Sequence, residues 1–305
     1  MAEKLELVEV SPRDGLQNEP DIVDTRNKLA IIAHIEAAGF KRLEAASFVN
    51  PKKVPQMADG DAIFERILGM DTYKDRSITY IALALNLRGV ERALTAGAKE
   101  INYVFCASDG FSIRNNGAAV AETFDVWPDV AALAHQGGAR ISATISTAFG
   151  CPFDGEVSVA RVVEVAERCV QQDVFELALA DTIGVAAPSD VRERFRAVKA
   201  AIPARTQLRA HFHNTRNTAL ANAVAAVEEG VRVLDGSLGG IGGCPFAPGA
   251  AGNVPTEDLV YMFARMGFDT GIDLGKAIEA AHFVGGVLGR QTPGMVSRAP
   301  KWPEN

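Results

Sequence analysis

Leu5-Glu6-Leu7-Val8-Glu9-Val10, followed by Ser11-Pro12-Arg13-Asp14-Gly15-Leu16-Gln17-Asn18-Glu19, sets the terms for the whole chain. The apolar run Leu5–Val10 reads as a β-strand. Pro12 cannot donate to a sheet ladder, so the strand ends there. Two opposite charges, Arg13 and Asp14, then stand at the strand's C-terminal end. Gly15 lets the chain turn without a Cβ clash. Taken alone, this reads as a solvated turn with a local ion pair, since such turns are common. A fixed cation beside a carboxylate also suits a site that binds a metal and a substrate oxyanion together.

The same unit, a strand ending in polar residues and then a helical pattern, recurs along the chain. The remaining candidate strands are Arg42–Ala46, Ile78–Ala84, Glu100–Cys106, Arg140–Ser146, Val174–Ala180, Gln207–Phe212 and Arg232–Asp235. Between them apolar residues recur with helical period, as in Asp24–Ala38, Val157–Val170, Ala219–Val227 and Asp258–Met266. Gly39 is a natural stop for the first of these helices. Eight such units over about 270 residues predict an α/β fold, the (β/α)₈ TIM barrel, with a doubly wound open sheet as the alternative. The barrel is preferred because the chemically interesting residues all fall at C-terminal strand ends, where barrels place active sites. An additional C-terminal helix, Ala277–Leu288, precedes a Pro-rich tail. With no composition break, residues 1–305 read as one domain, the barrel spanning about 4–270 and the helix and tail 274–305.

The 305 residues are 48% hydrophobic and 23% charged, with net charge −7. That is ample for a large core. Basic residues do not cluster into a nucleic-acid surface. No apolar run approaches a membrane span and no secretory signal is visible, so a cytoplasmic protein is expected. Its four cysteines, which include no C-x-x-C pair, are then expected to be reduced.

His211-Phe212-His213 ends the seventh strand. Residues i and i+2 share a face, so both imidazoles point into the barrel mouth. With the Asp14 carboxylate they make a candidate divalent-metal site, against the alternative of two polar residues on an exposed strand end. Mixed N/O ligation with open positions fits Mg²⁺, Mn²⁺, Co²⁺ or catalytic Zn²⁺, and the sequence does not choose. The loop Gly239–Asn253 holds six glycines in fifteen residues. Such density suits a lid or close backbone approach to a ligand. Cys244 in its middle is a candidate acid/base or nucleophile, and Asn253 at its end offers an amide oxygen as an extra metal ligand. The second Gly-Cys-Pro-Phe, Gly150–Phe153, lacks Gly-rich neighbours, and Cys151 is read as structural.

Glu44 lies inside an apolar strand, where an ionised carboxylate needs a partner. Arg13 on the neighbouring strand is the expected one. Asp181 ends the sixth strand; it either orients Arg13 or a metal ligand, or caps the segment that follows. Lys52 and Lys53 lie in a basic loop that is either solvated or meets the phosphates of a nucleotide-like carrier.

Together these motifs resemble the hydroxymethylglutaryl-CoA lyase family of metal-dependent barrel lyases. Arg13–Glu19, Ser47-Phe48-Val49 with Val54-Pro55-Gln56-Met57, Asp181–Gly184, His211-x-His213, Gly242–Pro245 and Thr256–Met262 follow in family order. The resemblance covers almost the whole chain. It implies that Asp14, His211, His213 and Asn253 hold the cation, Arg13 stabilises an enolate oxygen, Glu44 and Asp181 support them, and Cys244 moves a proton. It further implies an acyl-CoA thioester substrate, with Lys52 and Lys53 near the CoA phosphates, and a homodimer. Two departures leave the acyl group open: Asn214-Thr215-Arg216-Asn217 after the second His, and Ala45-Ala46 where hydroxyl residues often follow the Glu. A Claisen-type synthase and a non-catalytic binding protein are the alternatives. Synthases of that kind usually carry a further C-terminal region, so the lyase is expected.

Overall fold

A computed structural model describes residues 2–69, 77–243 and 252–300. Eight parallel strands close into a barrel in chain order: β1 Glu6–Glu9, β2 Arg42–Ser47, β3 Thr79–Ala84, β4 Glu100–Cys106, β5 Arg140–Ser146, β6 Glu176–Asp181, β7 Gln207–Phe212 and β8 Val233–Gly236. β1 pairs with β2 on one side and β8 on the other, through Val8↔Arg42 and Leu7↔Leu234, which leaves no open edge. The doubly wound alternative is therefore excluded. Strand identities agree with the sequence reading, and the ends shift by two residues at most. Leu5, Ile78 and Val174 are apolar but precede the ladder.

Helices α1 Thr25–Ala37, α2 Gly60–Gly69, α3 Leu87–Thr95, α4 Asp109–Asn115, α5 Val120–Asp125 and α6 Trp127–Gln136 cover the first half. α7 Val159–Cys169, α8 Pro188–Ala201, α9 Ala219–Glu228, α10 Thr256–Arg265 and α11 Leu274–Val287 complete the outer layer. Their starts follow capping chemistry. Asp24, Ser158 and Asp273 each accept the N–H three residues on, satisfying a donor that the first helical turn leaves free. The expected C-terminal helix is α11, which begins three residues earlier than its apolar pattern, at the Asp273 cap. No described helix is long and apolar enough to cross a membrane.

The main apolar core lies between the outer faces of the strands and the helices, where Phe64, Trp127 and Phe195 are fully buried. The barrel interior is different. Val8, Val10, Ile81 and Val233 make a small apolar cluster of their own. Around it sits a belt of buried charge: Arg42 bonds Glu100 at 2.5 Å and Glu176 at 2.9 Å, and Arg209 Nη1 lies 3.2 Å from Glu176. Charges at period two inside apolar strands thus face inward and neutralise one another, as buried charges must. Two further features have no strand or helix period behind them. Glu3–Lys4 pairs in parallel with Phe268–Asp269, and β2 carries a bulge between Glu44 and Ala46.

Candidate active site

After β1 the chain makes one wide helical turn, Ser11–Gly15. Arg13 and Gly15 N–H both donate to the carbonyl of Val10, at 3.2 and 3.1 Å. The buried carboxylate of Glu9 fixes the start of the turn by accepting the Ser11 N–H at 2.8 Å. Gly15 is required by contact rather than by dihedral angle. A Cβ there would stand 2.8 Å from Ile241 Cγ1 and 2.9 Å from Ser237 Oγ, so the turn lies flat on the segment after β8. The result presents Arg13 and Asp14 to the barrel mouth.

Arg13 is clamped between two carboxylates. Its guanidinium bonds Glu44 through Nε and Asp14 through Nη1. Glu44 is 1% exposed and also accepts from Asn102 Nδ2 at 2.8 Å, so both its oxygens are occupied. The pairing of Glu44 with Arg13 inferred from the apolar strand is present, and so is the adjacent Arg13–Asp14 pair.

His211 and His213 point to the same place. Their Nε2 atoms lie 3.9 and 3.5 Å from Asp14 Oδ2. Ligand atoms held at ~2.1 Å from one cation stand roughly 3–3.4 Å apart, so this donor set needs only a small contraction to share an ion. One ligand atom from each of the three residues lies within 4.8 Å of the others. The tautomer is set as well. His211 Nδ1 faces Asp235 Oδ2 at 2.9 Å, which leaves Nε2 for the mouth. Burial works against charge on Asp14, yet Arg13 and the two imidazoles hold its carboxyl well below the usual carboxylate range. Burial likewise opposes the His211 imidazolium, but Asp235 and then Asp14 raise its pKa. His213 Nδ1 is buried with no partner. Two imidazoles and a persistently ionised carboxylate form a set that fits a divalent cation.

Asn253 reaches the site because its segment runs along the end of β7. Val254 N–H donates to Phe212 O at 3.0 Å, and Asn214 N–H to Gly252 O at 2.8 Å. Its Nδ2 donates to Asp14 Oδ2 at 2.7 Å. A ligand role uses the amide oxygen, which requires the amide turned over. Gly242 makes this approach feasible: it has φ of 107°, and a Cβ there would lie 2.6 Å from Asn253 Nδ2.

Arg13, Asp14, His211, His213 and Asp235 line a cavity of about 310 Å³, whose walls include Leu83, Val104, Phe111, Thr144 and Ser146. Lys53 and Asn50 line it too, whereas Lys52 does not, and its N–H donates to Asn50 Oδ1 at 3.0 Å. Cys244 lies outside the described residues. Its neighbour Gly243 lines the cavity, and Asn18 Nδ2 holds the Gly243 carbonyl at 2.9 Å. The Asp181 carboxylate accepts the N–H groups of Val185 and Ala186 at 2.9 and 3.1 Å. Those groups lie in the loop before α8, whose own N-cap is Ala187, so Asp181 fixes that loop and does not cap the helix, and burial raises its pKa. Cys151 is buried and its sulfur accepts two N–H groups of its own turn. Sequence reasoning missed Asp235, Asn102, Thr144 and Arg209. For Asp235, Thr144 and Arg209 the signal was a polar side chain on the inward period of a strand bearing a site residue, or of its neighbour; Asn102, two strands from Glu44, carried no such signal.

A family model described as HMGL-like matches residues 4–284. The chain belongs to the HMGL-like family. The (R)-citramalyl-CoA lyase of Chloroflexus aurantiacus is 43% identical, over 99% of this chain and 97% of that relative. Mitochondrial hydroxymethylglutaryl-CoA lyase of Mus musculus is 40% identical, over 98% of this chain and 90% of the relative. Among solved structures, an HMG-CoA lyase from Acinetobacter baumannii in complex with coenzyme A and 3-methylmalate superposes with a TM-score of 0.92 at 39% identity, covering 99% of this chain and 97% of that one. The family and the barrel agree with the sequence expectation, and this HMGL-like chain is a carbon–carbon lyase.

Proposed function

We propose that this HMGL-like protein cleaves a 3-hydroxy-3-methyl acyl-CoA thioester that ends in a carboxylate, releasing acetyl-CoA and a keto acid. The observation that carries the reading is the convergence of Asp14, His211 and His213 beside a doubly clamped Arg13 at one end of the cavity. Asp14, His211 and His213 would hold the cation, with Asn253 as a further ligand once its amide oxygen is presented. A divalent cation supplies a charge that lowers the pKa of a bound substrate hydroxyl.

The protein's own groups do the rest. Loss of the hydroxyl proton to a base lets the C–O bond become a carbonyl while the bond between the α and β carbons breaks. The electron pair passes to the thioester as an enolate. Arg13, immobilised by Glu44 and Asp14, is the group proposed to meet that oxygen as it develops charge. Such preorganised charge is worth ~3 kcal/mol or more. Protonation of the enolate carbon gives acetyl-CoA, and Cys244 is the proton carrier proposed for the Gly-rich loop. Lys53 at the cavity wall is the residue proposed to meet the CoA phosphates.

3-Hydroxy-3-methylglutaryl-CoA and its one-carbon-shorter homologue citramalyl-CoA both carry this unit. The second is favoured as an alternative by the 43% identity to a lyase named for it. Incubating the Mn²⁺-loaded enzyme with each and identifying the keto acid separates them: acetoacetate from the first, pyruvate from the second. If neither thioester is cleaved, or if the enzyme only condenses acetyl-CoA with a keto acid, the proposal fails.

A further inference from the structure

Arg209 sits two residues below His211 on the inner face of β7 and is 1% exposed. Its guanidinium reaches three ways. Nη1 lies 3.2 Å from Glu176 on the barrel floor. Nε lies 3.5 Å from Asp235 Oδ1, and Nη2 donates to Thr144 Oγ1 at 3.3 Å. The last two contacts lead upward into different halves of the site.

On the metal side, Asp235 turns its other oxygen to His211 Nδ1 at 2.9 Å, and His211 faces Asp14. On the enolate side, Thr144 Oγ1 donates to Asn102 Oδ1 at 2.8 Å, and Asn102 Nδ2 donates to Glu44 at 2.8 Å. Glu44 holds Arg13, and Arg13 holds Asp14. The two paths meet at Asp14, so the polar groups close into a ring with Arg209 at its base.

We propose that Arg209 is a positioning residue that fixes the His211 imidazole and the Arg13 guanidinium in one frame. It touches neither substrate nor cation. Its planar fork can face a carboxylate on one edge and a hydroxyl on another, which a lysine point charge cannot do. The Asp235 and Glu176 contacts are ion pairs in which Arg209 Nε and Nη1 make no hydrogen bond, so there charge matters more than exact aim. The Thr144 contact depends on the fork.

This inference rests on the lyase reading for its turnover arm, while its Mn²⁺ arm is read without substrate. The test measures Mn²⁺ affinity by the free-ion EPR signal, together with kcat and KM, in four proteins. Arg209→Met weakens Mn²⁺ binding about 10–100-fold, the range for losing support of a ligand, and lowers kcat. Arg209→Lys restores Mn²⁺ affinity to within about threefold while kcat stays about tenfold down. Thr144→Val leaves Mn²⁺ affinity unchanged and lowers kcat with little change in KM. Should Arg209→Met not fold, the lysine and Thr144→Val variants decide the matter. Wild-type affinity and turnover in both, or a lower Tm with both readouts intact, overturns the proposal. A wild-type protein that neither binds Mn²⁺ nor cleaves the thioesters refutes the functional reading itself, which the wild-type control reports separately.

Discussion

Glu44→Gln isolates the clamp on Arg13. The substitution is isosteric and removes one charge. Glu44 now gives one oxygen to Arg13 and the other to Asn102 Nδ2. An amide in its place offers one acceptor and one donor, so either Arg13 or Asn102 meets an NH₂ group. At 1% exposure no water replaces the lost acceptor. Removing one partner of a buried ion pair costs about 3–5 kcal/mol. Arg13 keeps Asp14, so the low end applies, about 3 kcal/mol. For a chain of this length that is a fall of roughly 5 °C in Tm. The guanidinium also loses its fixed aim at the enolate oxygen. That interaction strengthens in the transition state, so kcat drops ~100-fold while KM moves little. Mn²⁺ affinity changes less, because the imidazoles and Asp14 stay in place. Calorimetry, steady-state kinetics and Mn²⁺ titration read the three quantities. Unchanged kcat in a folded variant would refute the clamp, and a loss of Mn²⁺ affinity exceeding the loss of kcat would reassign Glu44 to the metal.

His213→Ala removes one of three convergent donors and is expected to weaken Mn²⁺ binding at least tenfold by isothermal titration; normal binding would exclude it as a ligand. Cys244→Ala is expected to lower turnover and leave Mn²⁺ affinity intact; full turnover would take the thiol out of the proton transfer. Glu257 is buried beneath the Gly-rich segment, accepts the Gly239 N–H at 3.0 Å, and is pushed by burial from 4.5 to about 7. Between those values the folded protein keeps a proton that the unfolded chain releases, so stability falls as pH rises, by about 1.4 kcal/mol per pH unit. Glu257→Gln removes that share of the slope in urea unfolding from pH 5 to 7, and an identical slope in both proteins would contradict the assignment.

The barrel was legible because its strands are apolar runs bounded by turn residues, and period two placed His211 and His213 on one face without any knowledge of the fold. Arg13 with Glu44 was legible for a related reason: a carboxylate inside an apolar strand needs a cation. What the sequence does not carry is distance between strands far apart in the chain. Nothing local to Asp235 says that it faces His211, and nothing local to Arg42 says that it meets Glu100 and Glu176. Those pairs exist only once the barrel closes. Asp181 shows the opposite case. Its position at a strand end suggests site duty, yet each of its two oxygens already accepts an N–H group of the loop that follows.

The central claim is that this site breaks a carbon–carbon bond and protonates an enolate with a cation in place. It is tested most directly by running the reaction in D₂O on enzyme stripped with chelator, with and without added Mn²⁺. Hydroxymethylglutaryl-CoA and citramalyl-CoA serve as substrates, and the acetyl-CoA formed is weighed by mass spectrometry. The account predicts acetyl-CoA carrying one solvent deuterium from at least one thioester, formed only where Mn²⁺ was restored. Both thioesters remaining intact at saturating Mn²⁺, or equal cleavage in the stripped sample, would contradict it.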